Sequence, residues 1–296
     1  MSQTSVIVSD NLRGVALMVL GMAGLAITDV LLKVLGGAIP LGQLMMVQGL
    51  GATLIFGTLA RRQGVTRWRK NFLLPVVIWR NLFEILAAVS FLSALVLVPL
   101  STLSAILQAN PLIVTLGAAI WFKEPVGPRR WAAIAVGFVG VLLVIRPWSD
   151  SFSTASLLAI TAATALAVRD LLTRRLPAHV ATHQAATYAV FVMGVVGIVL
   201  LFIQGTPLIM PTPTQALLLM ITLITLPIGY FGITAAMRVG EIAVVTPFRY
   251  SRIVFALILA ALIFGERPDA LTYLGAAIIV ASGLYTIWRE QVRRRA

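Results

Sequence analysis

Ten apolar runs follow one another almost without interruption, and most are close to the ~20 residues a helix needs to cross a hydrocarbon core. They span roughly 14–35, 42–59, 74–97, 102–122, 131–145, 155–172, 182–202, 214–236, 243–264 and 271–288. Inside a bilayer every backbone N–H and C=O must be satisfied within its own segment, so each run is expected to be a helix. Composition leaves little alternative. The 296 residues are 59% hydrophobic and 11% charged, whereas a soluble domain carries about 25% charged residues. The fifth run is short and closed by Pro147, and the third contains Arg80 and Glu84, which blur its start. Every connection is short, leaving no room for a separate soluble domain. The expected fold is an all-α membrane protein with ten transmembrane helices embedded in a lipid bilayer.

The basic residues supply the orientation. With the N-terminus in the cytoplasm, sixteen lysines and arginines fall in gaps on that side, against Arg146 and Arg267 on the other. This split predicts both termini inside. It also accounts for the net charge of +13. No basic stripe sits on a soluble module, so a nucleic-acid partner is not expected. The N-terminal stretch lacks the basic region and small-residue cleavage site of a secretory signal, and its apolar run is read as the first span. There is no cysteine, and His179 and His183 are the only histidines. Neither a disulfide, a metal site nor any other cofactor is expected. No G-x-x-x-x-G-K-[ST] sequence occurs, so an ATP-driven pump within this chain is not expected and no ATPase subunit is evident. The sequence says nothing of oligomeric state.

The chain repeats itself. Ile27-Thr28-Asp29-Val30-Leu31-Leu32-Lys33 resembles Val168-Arg169-Asp170-Leu171-Leu172-Thr173-Arg174 at a shift of 141, and Gln43 falls on Gln184 at the same shift. Trp121-Phe122-Lys123-Glu124 resembles Ile263-Phe264-Gly265-Glu266 at a shift of 142. Distant anchors in near-identical register predict two five-helix units, 1–147 and 148–296. Five is odd, so the second unit must enter the membrane from the opposite side. That makes an inverted repeat, the arrangement on which many secondary transporters build alternating access.

Each half also ends on a recognisable pattern. The first carries Ala94-Leu95, Pro99-Leu100-Ser101, Asn110-Pro111, Phe122-Lys123-Glu124 and Gly137-Phe138-Val139-Gly140-Val141. The second carries TPFRYSRIVFALILAALIFGERPDALTYLGAAIIVASGLY from Thr246 to Tyr285. Over nearly its whole length the chain thereby resembles the EamA branch of the drug/metabolite transporter superfamily. That resemblance implies a ten-span metabolite carrier of a bacterial inner membrane, with its site between the halves. It does not name the cargo or the direction of transport.

Intramembrane charge costs at least ~2.5–3.5 kcal/mol per group at mid-helix, so it marks a cavity or a partner. Arg249 and Arg252 lie three apart on one helix face beside Tyr250, and their guanidinium forks match a carboxylate. The alternative for both is snorkelling toward the headgroups. Arg80 and Glu84, four apart, can pair with each other. Alternatively Arg80 meets the small-molecule substrate and Glu84 exchanges a proton. Asp29 with Lys33, and Arg169 with Asp170, read as repeat-related proton-coupling or gate elements, or as pairs that set helix depth. Gln48, Gln108 and Asn110 read as cargo ligands or interhelical hydrogen bonds. Trp79, Phe83, Phe91, Tyr188 and Tyr230 could wall an apolar site or simply pack. Gly21, Gly24, Gly137 and Gly140 read as close-packing seams.

The leading function is therefore secondary transport of a small organic metabolite bearing an anionic or carboxylate group. The alternative is an amino-acid or multidrug exporter with an aromatic pocket. A membrane enzyme acting on a lipid-linked substrate is disfavoured, because the acids of the outer loops, Asp150, Glu266 and Asp269, are scattered.

Overall fold

A computed structural model describes residues 3–65, 68–123, 127–148, 153–239 and 242–295. Arg67, Glu124 and Asp150 lie outside the described residues. All regular structure among the described residues is helical. In chain order the helices are α1 (Gln3–Gly36), α2 (Leu41–Arg62), α3 (Trp68–Phe72), α4 (Pro75–Leu97), α5 (Leu100–Leu107), α6 (Asn110–Trp121), α7 (Pro128–Ile145), α8 (Ser156–Thr173), α9 (Thr182–Gln204), α10 (Pro213–Val239), α11 (Ile242–Val245), a 3-10 turn (Thr246–Tyr250), α12 (Ser251–Phe264) and α13 (Ala270–Arg295). Among the described residues nine helical stretches are long and apolar enough to cross a membrane, counting Leu100–Trp121 and Thr246–Phe264 as one each. A shorter apolar helix covers Trp131–Ile145. The chain is a multi-pass integral membrane protein, and its outer surface is correspondingly apolar, with Leu54, Phe202, Phe231 and Leu262 exposed.

Local chemistry sets the helix ends. Pro75 and Pro128 open α4 and α7 at the first helical position, where a missing N–H costs nothing. Gly265 closes α12 with φ +63, in the left-handed region that a glycine enters freely. Its repeat mate Lys123 adopts φ +51 without that freedom.

Four helix pairs carry most of the packing: α1 with α10, α4 with α8, α2 with α9 and α7 with α13. A shift of 141–142 residues carries α1 onto α8 and α4 onto α10, so it exchanges the first two pairs and returns the other two to themselves. Glycines allow the approach. A Cβ on Gly21 would lie 3.0 Å from the Gly229 carbonyl, and one on Gly140 would lie 2.8 Å from that of Gly275. Gly24 meets Thr225 where Gly21 meets Gly229, so α1 and α10 run antiparallel. These glycines form the seams expected from their spacing.

The matched residues make matched contacts. Gln43 brackets the backbone of Ile209, donating to its carbonyl at 2.7 Å and accepting from its N–H at 2.9 Å, in the α9–α10 connection. Gln184 accepts from Asn71 of α3, in the α2–α4 connection, at 3.0 Å. The Lys33 ammonium lies 5.4 Å from the centre of the Phe264 ring, and the Arg175 guanidinium 4.7 Å from that of Phe122. Lys33 and Phe122 each move by 142 to reach Arg175 and Phe264. Lys33 also donates to the carbonyls of Leu95 and Val98, which sets the C-terminal ends of α1 and α4 together. Arg80 and Glu84, near the start of α4, meet Thr173 and Arg169, near the end of α8. The two cation–ring contacts therefore sit at opposite ends of the bundle.

Candidate functional site: a central cavity between broken helices

The fourth and ninth apolar runs are each interrupted. Between α5 and α6 the regular hydrogen bonding lapses at Gln108 and Ala109, just before Pro111, whose ring supplies no N–H. In the second half α12 is preceded by the 3-10 turn that contains Pro247. A shift of 142 places Gln108 on Tyr250 and Asn110 on Arg252, so the two breaks occupy the same place in the repeat. Both open onto one cavity of about 260 Å³. Its floor and walls also include Asp29 of α1, Gln48 of α2, Glu84 and Phe91 of α4, Arg169 and Asp170 of α8, Met193 of α9 and Tyr230 of α10.

Two ionic groups cross the cavity wall. In the first, Arg252 donates twice to one carboxylate oxygen of Asp29, at 2.6 and 3.2 Å, tying α12 to α1. In the second, Arg169 reaches both Asp170, at 2.6 Å, and Glu84, at 3.1 Å, while Arg80 approaches Glu84 from behind at 3.4 Å. That group holds two acids and two guanidinium ions and is neutral in itself. Arg249 lines the same cavity and, among the described residues, has no hydrogen-bond or ion-pair partner. The amide nitrogens of Gln48 and Gln108 are also buried and unpaired. Tyr250 turns its ring to the cavity and packs its unpaired hydroxyl against Gly283 of α13, where even a Cβ would not fit.

Several sequence expectations need correction. Asp29 and Lys33 do not pair. Asp29 turns inward to Arg252, while Lys33 leaves the cavity for the Leu95 and Val98 carbonyls and lies 3.8 Å from Glu266. Arg80 pairs with Glu84 as expected but does not line the cavity. It is buried behind it, donating to Thr173 at 3.0 Å and to Asn81 at 3.2 Å. Trp79, one residue earlier, faces the lipid side with 56% of its surface exposed. Phe83 does not line the cavity, and Tyr188 packs on Trp68 and Phe72 near the start of α9. Arg249, Arg252, Tyr250, Glu84, Gln108, Asn110, Asp29, Arg169 and Asp170 do converge.

One contact had only an indirect signal. Glu266 caps the start of α5, accepting from the N–H of Leu100 at 2.7 Å and from the N–H and hydroxyl of Ser101 at 3.0 and 2.7 Å. An acid beside a helix N-terminus is favoured there. The sequence shows the acid in the GERP turn, and only the fold shows which helix it meets. Beside it, Arg146 pairs with Asp269. That hydrogen bond, with help from Thr272, holds the Asp269 carboxyl well below the usual carboxylate range.

A helical bundle with a charged cavity between two broken helices is the anatomy of a membrane transporter. The model of the EamA-like transporter family matches residues 12–146 and again 153–288. The chain belongs to the EamA-like transporter family. It is 30% identical over 234 residues to a riboflavin transporter of Vibrio cholerae, covering 78% of this chain and 70% of that one. It is 27% identical to an S-adenosylmethionine uptake transporter of Rickettsia bellii, covering 73% of each. It is 26% identical to a pseudopaline exporter of Pseudomonas aeruginosa, covering 91% and 94%. A solved crystal structure superposes over 99% of both chains with a TM-score of 0.59 at 18% identity, a likeness of fold. The relatives are transporters of small molecules, which points away from an enzyme.

Proposed function

We propose that the chain is a secondary transporter that carries a small organic solute by alternating access through the cavity between its two broken helices. In this reading ten helices cross the membrane as two inverted five-helix repeats, 1–147 and 148–296. Both termini are cytoplasmic and the membrane is a bacterial inner membrane. The matched packing pairs, the matched glutamine clasps and the matched helix breaks support that arrangement. The observation that carries the functional reading is Arg249, a cation on the cavity wall whose charge no acid among the described residues answers. A solute carboxylate supplies the missing partner, while Phe91, Met193 and the Tyr250 ring accommodate an apolar body. Arg252, Asn110, Gln108 and Glu84 complete the solute's surroundings. Arg80 acts from behind the cavity, holding Glu84 and tying α4 to Thr173 of α8.

The relatives' names include both uptake and export, so the family leaves direction open. Proteoliposomes preloaded with a defined mixture of carboxylate-bearing metabolites and their methyl esters test the reading, with efflux followed by mass spectrometry. The acids leave through the wild type and stay inside with Arg249→Gln. Folded protein that moves nothing overturns transport. Esters that move as fast as the acids favour the second reading, an exporter with an aromatic pocket, for which the Phe91, Tyr230 and Tyr250 rings speak.

A further inference from the structure

The two ionic groups on the cavity wall differ in what happens when a solute intrudes. The Arg80–Glu84–Arg169–Asp170 group is balanced internally, and each acid in it touches a guanidinium ion other than Arg252. Asp29 is different. It is 5% exposed, and Arg252 is its only hydrogen-bond or ion-pair partner among the described residues. Arg252 is the more open of the two, its side chain 23% exposed and directed at the cavity. It lies one helical turn beyond the unpaired Arg249.

A carboxylate drawn in by Arg249 therefore meets a second guanidinium already engaged by Asp29. Asp29 occupies the Nε edge of the Arg252 guanidinium, and a solute carboxylate that takes the same edge displaces it. If the solute takes Arg252, Asp29 is left as an unpartnered charge in the membrane interior. Such a charge is too costly to persist and is neutralised by protonation. We propose that Asp29 is the binding site of a coupling proton, taken up as Arg252 exchanges Asp29 for the carboxylate of the solute. The step balances. The Asp29 carboxylate gains one proton from water in the cavity, Arg252 stays protonated throughout, and the loaded carrier holds one proton for each carboxylate. A monovalent anion then crosses without net charge.

Among the described residues the unpaired cation that could replace Arg252 is Arg249, and the carboxylate of the solute engages it first. Arg249 and Tyr250 on the 3-10 turn, Glu84 on α4 and Tyr230 on α10 face the same cavity. Arg169 and Asp170 lie on α8, across from α1. At the cavity α2 presents the uncharged Gln48, and α11 contains no titratable residue. On α1 itself, Lys33 is held by Glu266 and two carbonyls. Glu84 and Asp170 keep their own guanidinium partners when Arg252 is taken, so neither is driven to accept a proton.

This inference rests on the transport reading for its purpose, and its test uses binding instead of flux. Benzoate is the probe, added to purified full-length protein in weakly buffered detergent solution containing a pH indicator, with thermal shift followed in parallel. The wild type takes up about one proton per benzoate bound near pH 7, by linkage. Asp29→Asn, which mimics the protonated carboxyl and frees Arg252, binds benzoate at least as tightly and takes up no proton. Arg252→Gln gives neither the proton uptake nor the gain seen with Asp29→Asn. Benzoate binding to the wild type without proton uptake overturns the inference. So does proton uptake that persists in Asp29→Asn, or failure of benzoate to stabilise Asp29→Asn. Proton-linked binding without flux in proteoliposomes removes the transport reading alone. Flux without linked protons removes this inference alone.

Discussion

The break between α5 and α6 and the break before α12 share a place in the repeat and a place on the cavity, but they differ in chemistry. The first offers Gln108 and Asn110, both uncharged. The second offers Tyr250 and Arg252, with Arg249 one position before. Backbone interruption at the cavity is common to both halves. The charge is confined to one. The two breaks thus share a backbone form, while side chains that differ between the copies make the cavity unsymmetrical. The same contrast holds one layer out. Asp29 draws an arginine from the other half, whereas its mate Asp170 is satisfied by its own neighbour, Arg169.

Substitutions at the matched positions sharpen this contrast. Arg252→Ala strips Asp29 of its partner and costs about 3–5 kcal/mol, as for other broken buried ion pairs. The measurement is the unfolding midpoint of solute-free protein in detergent. A loss below about 1 kcal/mol, the range of surface ion pairs, shows that water already screens the pair. Arg249→Gln leaves stability nearly unchanged but removes a charge-assisted hydrogen bond to the solute. Affinity for a carboxylate probe falls roughly tenfold to a hundredfold, measured by calorimetry. Affinity that stays the same returns Arg249 to a snorkelling role. Asn110→Ala, at the matched site of the first half, costs about 0.6 kcal/mol, as for an average intramembrane hydrogen bond. Its bond to the Ala163 carbonyl is long, at 3.5 Å. An effect as large as that of Arg252→Ala erases the distinction between the halves.

The smallest effect concerns acid. The folded state holds the Asp269 carboxyl low through Arg146, so the unfolded state binds that proton more readily. The Arg146–Asp269 contact therefore contributes stability above about pH 4 and loses it as pH falls further. Asp269→Asn should flatten that part of the stability profile. A profile unchanged from wild type removes the contact from the account.

The sequence made the helices legible because hydropathy and helix length are local properties, and it made the repeat legible because Asp29, Gln43 and Phe122 keep their register with Asp170, Gln184 and Phe264. It also showed which residues were too costly to sit idle in lipid. Local spacing misleads on pairing, because it favours neighbours along one helix. Lys33 lies within reach of Asp29 by spacing, but nothing local reveals that Arg252, far along the chain, competes for it. Trp79 is hard to place from the sequence for a related reason. Hydropathy is high all round α4, so the pattern does not separate its lipid face from its cavity face. Arg80 joins the group that its spacing with Glu84 predicts but lies a layer deeper, since depth behind Glu84 is set by α8.

The inverted arrangement proposed for the halves is open to a direct topological measurement. The chain lacks cysteine, so single cysteines report without a background. Lys123 and Arg267 are exposed residues in the matched connections after α6 and α12. Lys123→Cys and Arg267→Cys are to be labelled with a membrane-impermeant maleimide, first in intact cells and then after permeabilisation. The account predicts that Arg267→Cys reacts in intact cells and Lys123→Cys only once the membrane is opened. Reaction of both from the same side would contradict it.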